Sequence, residues 1–286
     1  KYSIDYNFAT TSNPKELAYF LGFFWADGTT HGKFSTIEIL EKDALNVKPF
    51  FEKIGNFKYS CRIRENRQPQ ATFYLNDENF AKFLFEVGKY PHSIESHSKI
   101  LEYIPAQFHI YFLRGLIDGD GCFYSGKTNK HWNNTALQFT ISSSYEQNWD
   151  TLIETFKNMG INMKICLKKY KTYHSSVIIS SNPKEIEYFV NKLYENKDEI
   201  WLTRKHDKAI NMIKEHEKQR EKIIEQRQKY RIIVNGVEHD FSDSIGYIEG
   251  DKGKSFPTNY IWYNSVGTDY GVTLAVATIP FGFVKF

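Results

Sequence analysis

Residues 111–121 read YFLRGLIDGDG, an apolar run closed by an acid and a glycine, and residues 18–28, AYFLGFFWADG, echo it more loosely. Aligning Asp27 with Asp120, 93 positions apart (120 − 27), also aligns Gly22 with Gly115 and Ala26 with Gly119. Helical positions four apart share a face, so each run carries a small-xxx-small stripe. Such stripes let two helix backbones approach closely. Two helices packed on these stripes would set Asp27 and Asp120 side by side at one end. The acids would then sit at the negative ends of two helix dipoles, where a bare anion is disfavoured. A divalent cation would relieve both. Gly28 and Gly121 are expected to end the helices in the left-handed conformation.

The motifs FLGFFWADG and LRGLIDGDG resemble the two motifs of a single-chain LAGLIDADG homing endonuclease. The second is a close match; the first has Trp25 where the family usually has an acid or a polar residue. The resemblance implies a site-specific double-strand DNA endonuclease that hydrolyses one phosphodiester in each strand with divalent metal. It implies a monomer acting on double-stranded DNA with a long, near-unique target. Asp27 and Asp120 match the family's metal-binding acids, with the carbonyls of Ala26 and Gly119 completing a site for two or three Mg²⁺ ions. Magnesium prefers oxygen ligands and keeps several waters, so two acids suffice. Asp118 matches a less constrained position, pointing away from Asp120. Lys99 in HSKI and Lys205 in TRKH occupy places comparable to the family's basic residue, where a fixed cation would help a phosphoryl transition state. They lie 106 apart (205 − 99), the same offset as the expected helix caps Asn76 and Asn182. Glu41 and Ser143 fall where the family has water-ordering polar residues.

The rest of the chain reads as a duplication. Each half gives the order αββαββα: an α+β fold of two pseudo-symmetric repeats whose antiparallel sheets form a saddle. Asn13-Pro14 is expected to cap and open the first helix. In residues 57–64, Phe57, Tyr59, Cys61 and Ile63 alternate with Lys58, Ser60, Arg62 and Arg64, as in a half-buried strand with a basic face. Residues 162–170 repeat this, with Met163, Ile165 and Leu167 against Lys164, Cys166 and Lys168. Such faces offer alternate side chains to a DNA groove. The expected DNA contacts are therefore Lys58, Arg62, Arg64, Gln138, Lys164 and Lys168 on strands, and Arg67, Lys127, Lys130, Asn133, Asn134 and Lys171 at loop tips. Residues 1–104 and 105–215 read as the two repeats and 216–230 as a helical linker. Residues 231–286 read as a small appended module, either DNA-binding or a β-rich cap.

Composition narrows the alternatives. With 286 residues, 41% hydrophobic and 25% charged, the chain suits a globular protein with a substantial core. No apolar run reaches the roughly 20 residues of a membrane span, and no secretory leader is expected. A formal net charge of +3 is too small to argue for nucleic acid without local clustering. Cys61, Cys122 and Cys166 form no C-x-x-C pair, which suits free thiols in a reducing intracellular compartment. The nine histidines show no metal-ligand spacing. An intein is not expected, since no Cys or Ser opens the chain and no His-Asn closes it. An intron RNA maturase and a non-cleaving DNA-binding regulator on the same fold remain alternatives.

Overall fold

The computed structural model describes residues 1–63, 65, 68–89, 96–127, 135–169, 174–195 and 200–228, then seven short strands as backbone; the side chains of 127, 135 and 223 onward lie outside it. The chain divides into two compact units. One is Lys1–Ser125 with Ala136–Ile213, the other Gly126–Thr135 with Lys214–Phe286.

Through Gln228, whose helix begins in the first unit and ends in the second, one motif runs twice. Its first pass is α1 (Pro14–Asp27), β1 (Gly28–His31), β2 (Phe34–Leu40), α2 (Glu41–Phe51), β3 (Lys58–Arg62), β4 (Gln70–Asn76), α3 (Glu78–Glu86) and the short α4 (Ser98–Tyr103). A 3₁₀ turn, Ala106–Phe108, leads into the second pass: α5 (His109–Asp120), β5 (Gly121–Lys127), β6 (Thr135–Ser144), α6 (Asp150–Asn158), β7 (Lys164–Lys169), β8 (His174–Ser180), α7 (Pro183–Leu193) and α8 (Thr203–Gln228). The sheets have matching orders, β1-β2-β4-β3 and β5-β6-β8-β7. Neighbouring strands are antiparallel throughout the described registers. The expected α+β architecture of two duplicated halves is the one observed.

Alternation on the strands sets one face of each sheet against the helices. Ile37, Ile39, Phe73 and Leu75 enter the core in the first half, and Leu137, Phe139, Ile141 and Ile178 in the second. Aromatic rings interlock there: Phe20, Phe51 and Phe80 pack at centroid distances of 4.9–6.0 Å, mirrored by Phe139, Phe156 and Phe189 at 5.5–5.7 Å. Each fully buried ring contributes about 2 kcal/mol of transfer free energy. The edge strands depart from the expected alternation. Cys61 and Ile63 are exposed, as are Ile165 and Leu167. Strands β3 and β7 end their sheets with a neighbour on one side only, so the helical cover does not reach the side chains there.

The halves are tied crosswise. The Thr203 amide donates to Asn46 Oδ1 at 2.7 Å, and Arg204 clamps both carboxylate oxygens of Asp43 at 2.8 Å, docking the start of α8 on α2. Opposite, Ser96 and Thr151 share a hydroxyl hydrogen bond of 2.7 Å ahead of α4 and on α6.

Three local expectations are corrected. Gly28 (φ −78°, ψ 141°) and Gly121 (φ −72°, ψ 146°) are extended, not left-handed, because each helix passes straight into a strand. Asp77, not Asn76, caps α3, accepting from the amides of Asn79 and Phe80. Asn13 makes no side-chain cap; its amide donates to the Lys53 carbonyl at 2.9 Å. Asn182 does cap α7. In the second unit, backbone strands run β9 (Arg231–Val234), β10 (Val237–Asp240), β11 (Glu249–Gly250), β12 (Lys254–Ser255), β13 (Tyr260–Tyr263), β14 (Leu274–Ile279) and β15 (Gly282–Phe283). Among the described residues no helix is long and apolar enough to cross a membrane.

Candidate metal and nucleic-acid site

Helices α1 and α5 touch backbone to backbone. A Cβ added to Gly22 would lie 1.9 Å from the Phe112 carbonyl oxygen, and one on Gly115 would lie 2.0 Å from the Tyr19 carbonyl oxygen. No side chain fits between them. At the shared lower end, a Cβ on Gly119 would meet the Ala26 methyl at 2.2 Å and Asp27 Oδ2 at 3.2 Å. Asp27 therefore reaches across the joint to the turn of α5 that carries Asp120.

The electrostatics register this closeness. Burial pushes the Asp120 carboxyl up to about 6, with the Asp27 charge as second cause, opposed by Lys205 and Lys89. Asp120 opens to solvent on its outer side, while the protein around its inner side desolvates it. Asp27, half-buried, is also raised, by burial first, against the pull of Lys205, Lys89 and Arg204. Two desolvated carboxylates facing one another form a pair that a hard divalent cation suits. The donors at hand are all oxygen: Asp27, Asp120, and the nearby carbonyls of Ala26 and Gly119, the second of which also accepts from Lys205. Among the described residues no three His, Cys, Asp or Glu side chains gather, so that set is the one on offer.

Two buried lysines flank the acids. Lys205 projects from the first turn of α8 and donates to the carbonyls of Ile117, Gly119 and Gly121, each at 2.8 Å. These are carbonyls at and just past the C-terminal end of α5, where a cation offsets the dipole. Lys89 donates to the Trp25 carbonyl at the matching end of α1, and burial lowers its ammonium pKa to about 8. Lys99, the expected counterpart, is instead exposed on α4, its chain beside Gly88. The structure does not bring it to the acids. Lys89 gets there through a turn. Gly88 is left-handed (φ 84°), and the Lys89 amide bonds the Leu84 carbonyl at 2.9 Å, a Schellman closure of α3. The residue after such a glycine is directed inward, and here it is a lysine. That glycine–lysine step was the signal in the sequence.

Asp118 sits on the inner side, as its motif position implied. Fully buried, it accepts from the Tyr19 hydroxyl and the Leu202 amide, both at 2.7 Å, and burial raises its pKa to about 6. Its counterpart on α1 is Trp25, whose ring packs on His97 at 5.3 Å and Phe112 at 6.4 Å. Because Phe112 is the counterpart of Tyr19, a Tyr–Asp pair in one half is replaced by Phe–Trp in the other. The looser first motif has a packing reason.

Other expected positions scatter. Glu41 opens α2, and its carboxylate pushes up the pKa of the exposed Cys61 thiol. The acid near Asp27 on that helix is Asp43. Ser143 donates to Gln147 Oε1 at 3.1 Å. Lys58, Arg62, Lys164 and Lys168 are exposed on the sheet faces turned from the core, where Gln138 is half-buried. Arg64, Arg67, Lys130, Asn133, Asn134, Lys171 and the Lys127 side chain lie outside the described residues.

The raised acids have a signed consequence. A carboxyl whose folded pKa exceeds its unfolded value keeps a proton that the unfolded chain has released. Its contribution to stability is complete below about pH 4 and is lost as pH rises through about 6. With chelator present, the melting temperature of the wild type should fall relative to Asp27→Asn/Asp120→Asn between pH 4 and 6.5. Millimolar Mg²⁺ at pH 7.5 should recover the loss in the wild type alone. Calorimetry of both proteins measures this, and titrating groups common to both cancel.

No protein-family model matches the chain, and no curated protein matches it. Among solved structures it is similar to the LAGLIDADG meganuclease I-AabMI bound to uncleaved DNA, at 13% identity, 74% of this chain, 92% of that one and a TM-score of 0.48. It is similar to the I-SmaMI LAGLIDADG homing endonuclease bound to cleaved DNA at 14% identity, 76% and 91% coverage and a TM-score of 0.45. I-SmaMI bound to an uncleaved DNA target in the presence of calcium ions gives 15% identity, 73% and 92% coverage and a TM-score of 0.46. A likeness this distant says nothing about activity.

Proposed function

We propose that the protein is a divalent-metal-dependent, site-specific DNA endonuclease of the homing type, acting as a monomer on double-stranded DNA. The observation that carries this reading is the desolvated Asp27–Asp120 pair, held between Lys89 and Lys205 where helices α1 and α5 of the two duplicated halves meet. Asp27 and Asp120, with the Ala26 and Gly119 carbonyls, would hold Mg²⁺. When bound, the metal supplies charge neutralisation at the phosphate and a more acidic water. Lys89 and Lys205 keep positive charge beside a phosphate entering the site, and their grip on the helix-end carbonyls fixes the backbone under both acids. Lys58, Lys164 and Lys168 would grip phosphates, and Arg62 and Gln138 would face base edges, with Arg64, Arg67, Lys127, Lys130, Asn133, Asn134 and Lys171 extending the contact. Glu41 and Ser143 keep a supporting, water-ordering role in this reading.

The test is selection from a random duplex pool. In Mg²⁺, ends should accumulate at one long sequence, and none should accumulate in chelator. Enrichment by binding without cutting would favour the non-cleaving regulator instead. On the selected duplex, Lys89→Met should slow cleavage by about 10²- to 10³-fold, the cost of losing one positioned electrostatic donor. Lys99→Met should stay within about twofold, as for an exposed side chain away from the reaction. Single-turnover rates measure both, and the reverse result would restore Lys99 to the site.

A further inference from the structure

The two sheets turn chemically different faces away from the core. On the first, the cross-strand registers set Arg62 opposite Gln70 and place Thr72 between Ser60 and Glu38. Its central strand, β4, thus shows Gln70, Thr72 and Tyr74, all able to hydrogen-bond. On the second, Ile179 lies between Lys164 and Thr140, and Val177 between Cys166 and Ser142. Its central strand, β8, shows Ser175 and the half-buried Ile179, with Val177 only 3% exposed between them; β5 adds Cys122 and Tyr124, which is 52% exposed, and β6 lends the polar Gln138, Thr140 and Ser142. Acids differ too. Strands β5 to β8 contain none, whereas the first sheet contains one, Glu38, which is exposed and has no ion pair among the described residues.

From this contrast we infer that the target is chemically asymmetric: the second sheet reads thymine methyl groups, and Glu38 on the first reads a cytosine amino group. The inference rests on the DNA reading above and names its substrate more closely. The Ile179 side chain has no donor or acceptor to offer a base edge. What it can bury is the thymine C5 methyl, the apolar feature of the major groove. Lys164 and Lys168 on edge strand β7 would hold the flanking phosphate backbone. A carboxylate beside DNA is repelled by phosphates, and the base group that rewards it is the cytosine N4 amine. Arg62 and Gln70, side by side, suit guanine and adenine edges in the same half.

The experiment uses the full chain in chelator, so that duplexes are bound and not cut. Binding selection from a random pool comes first. Thymine is then replaced by deoxyuridine, which removes only the methyl, in one half-site at a time. Glu38→Gln identifies the half under the first sheet by relaxing base preference there alone. In the other half, deoxyuridine should weaken binding by roughly fourfold for each methyl buried. In the Glu38 half it should change affinity by less than about twofold, since hydrogen-bonded base edges are unaltered. Ile179→Thr should blunt the deoxyuridine effect. Equal losses in both halves, or none in either, would overturn the asymmetry while leaving DNA recognition intact. A pool from which no duplex is enriched would remove the DNA reading itself.

Discussion

Gly115→Ala is expected to cost at least about 4 kcal/mol, or to leave no soluble protein at all. The added methyl would stand 2.0 Å from the Tyr19 carbonyl oxygen and 2.7 Å from the Phe23 amide nitrogen. Both obstacles are backbone, so no rotamer change relieves them. The helices would have to separate, opening a joint packed as densely as a crystal. Ordinary overpacking costs about 1–3 kcal/mol because flexible side chains give way. Here nothing flexible intervenes, and Gly22 poses the same problem from the other side, 1.9 Å from the Phe112 carbonyl oxygen. Gly32→Ala is the control: Gly32 is left-handed (φ 58°), with open space around it. It should cost about 1–2 kcal/mol, the penalty of that backbone conformation. Denaturant unfolding compares the two. Equal losses would mean that α1 and α5 do not touch as described.

The joint was legible in sequence because it depends on periodicity alone. Small residues four apart and a terminal acid specify which faces meet, whatever packs around them. Lys89 was not legible by the same means. The offset that favoured Lys99 matched Asn76 with Asn182, but α3 is capped by Asp77, and the two halves supply their lysines from non-equivalent elements. One comes from a turn after a left-handed glycine, the other from the first turn of a long helix. Repeat arithmetic assumes equivalence that the chain does not keep at its loops. Gly28 and Gly121 were misread for a related reason. Glycine after a helix usually answers a demand for positive φ, but here it answers a demand for space. A Cβ on Gly28 would sit 2.4 Å from the Phe24 carbonyl oxygen, and one on Gly121 2.7 Å from that of Ile117. Edge strands β3 and β7 are exposed on both faces where the sequence alternation led one face to be expected buried, because alternation cannot say how far the covering helices extend.

The second large effect concerns the acids themselves. Asp27→Asn and Asp120→Asn keep side-chain shape and remove charge. The folded state should survive, since each substitution also relieves a desolvated, repelled carboxylate. What should be lost is the anionic oxygen that divalent metal requires. Each single variant should therefore cleave at least about 10²- to 10³-fold more slowly, the scale of one electrostatic contributor in a desolvated site. The double variant should not cleave detectably, while still binding the selected duplex. Adding the two single losses would be a mistake, because both acids would serve one shared metal cluster.

That prediction is most directly tested on supercoiled plasmid carrying the selected sequence, incubated in Mg²⁺ with the wild type and with Asp27→Asn/Asp120→Asn at matched concentration. Far-ultraviolet circular dichroism and duplex binding verify that the variant is folded and bound. Linear product from the wild type, and unbroken circles from the double variant, is the predicted outcome. Linear product at the wild-type rate from a folded, DNA-bound double variant would contradict the assignment of the paired aspartates as the cleavage site.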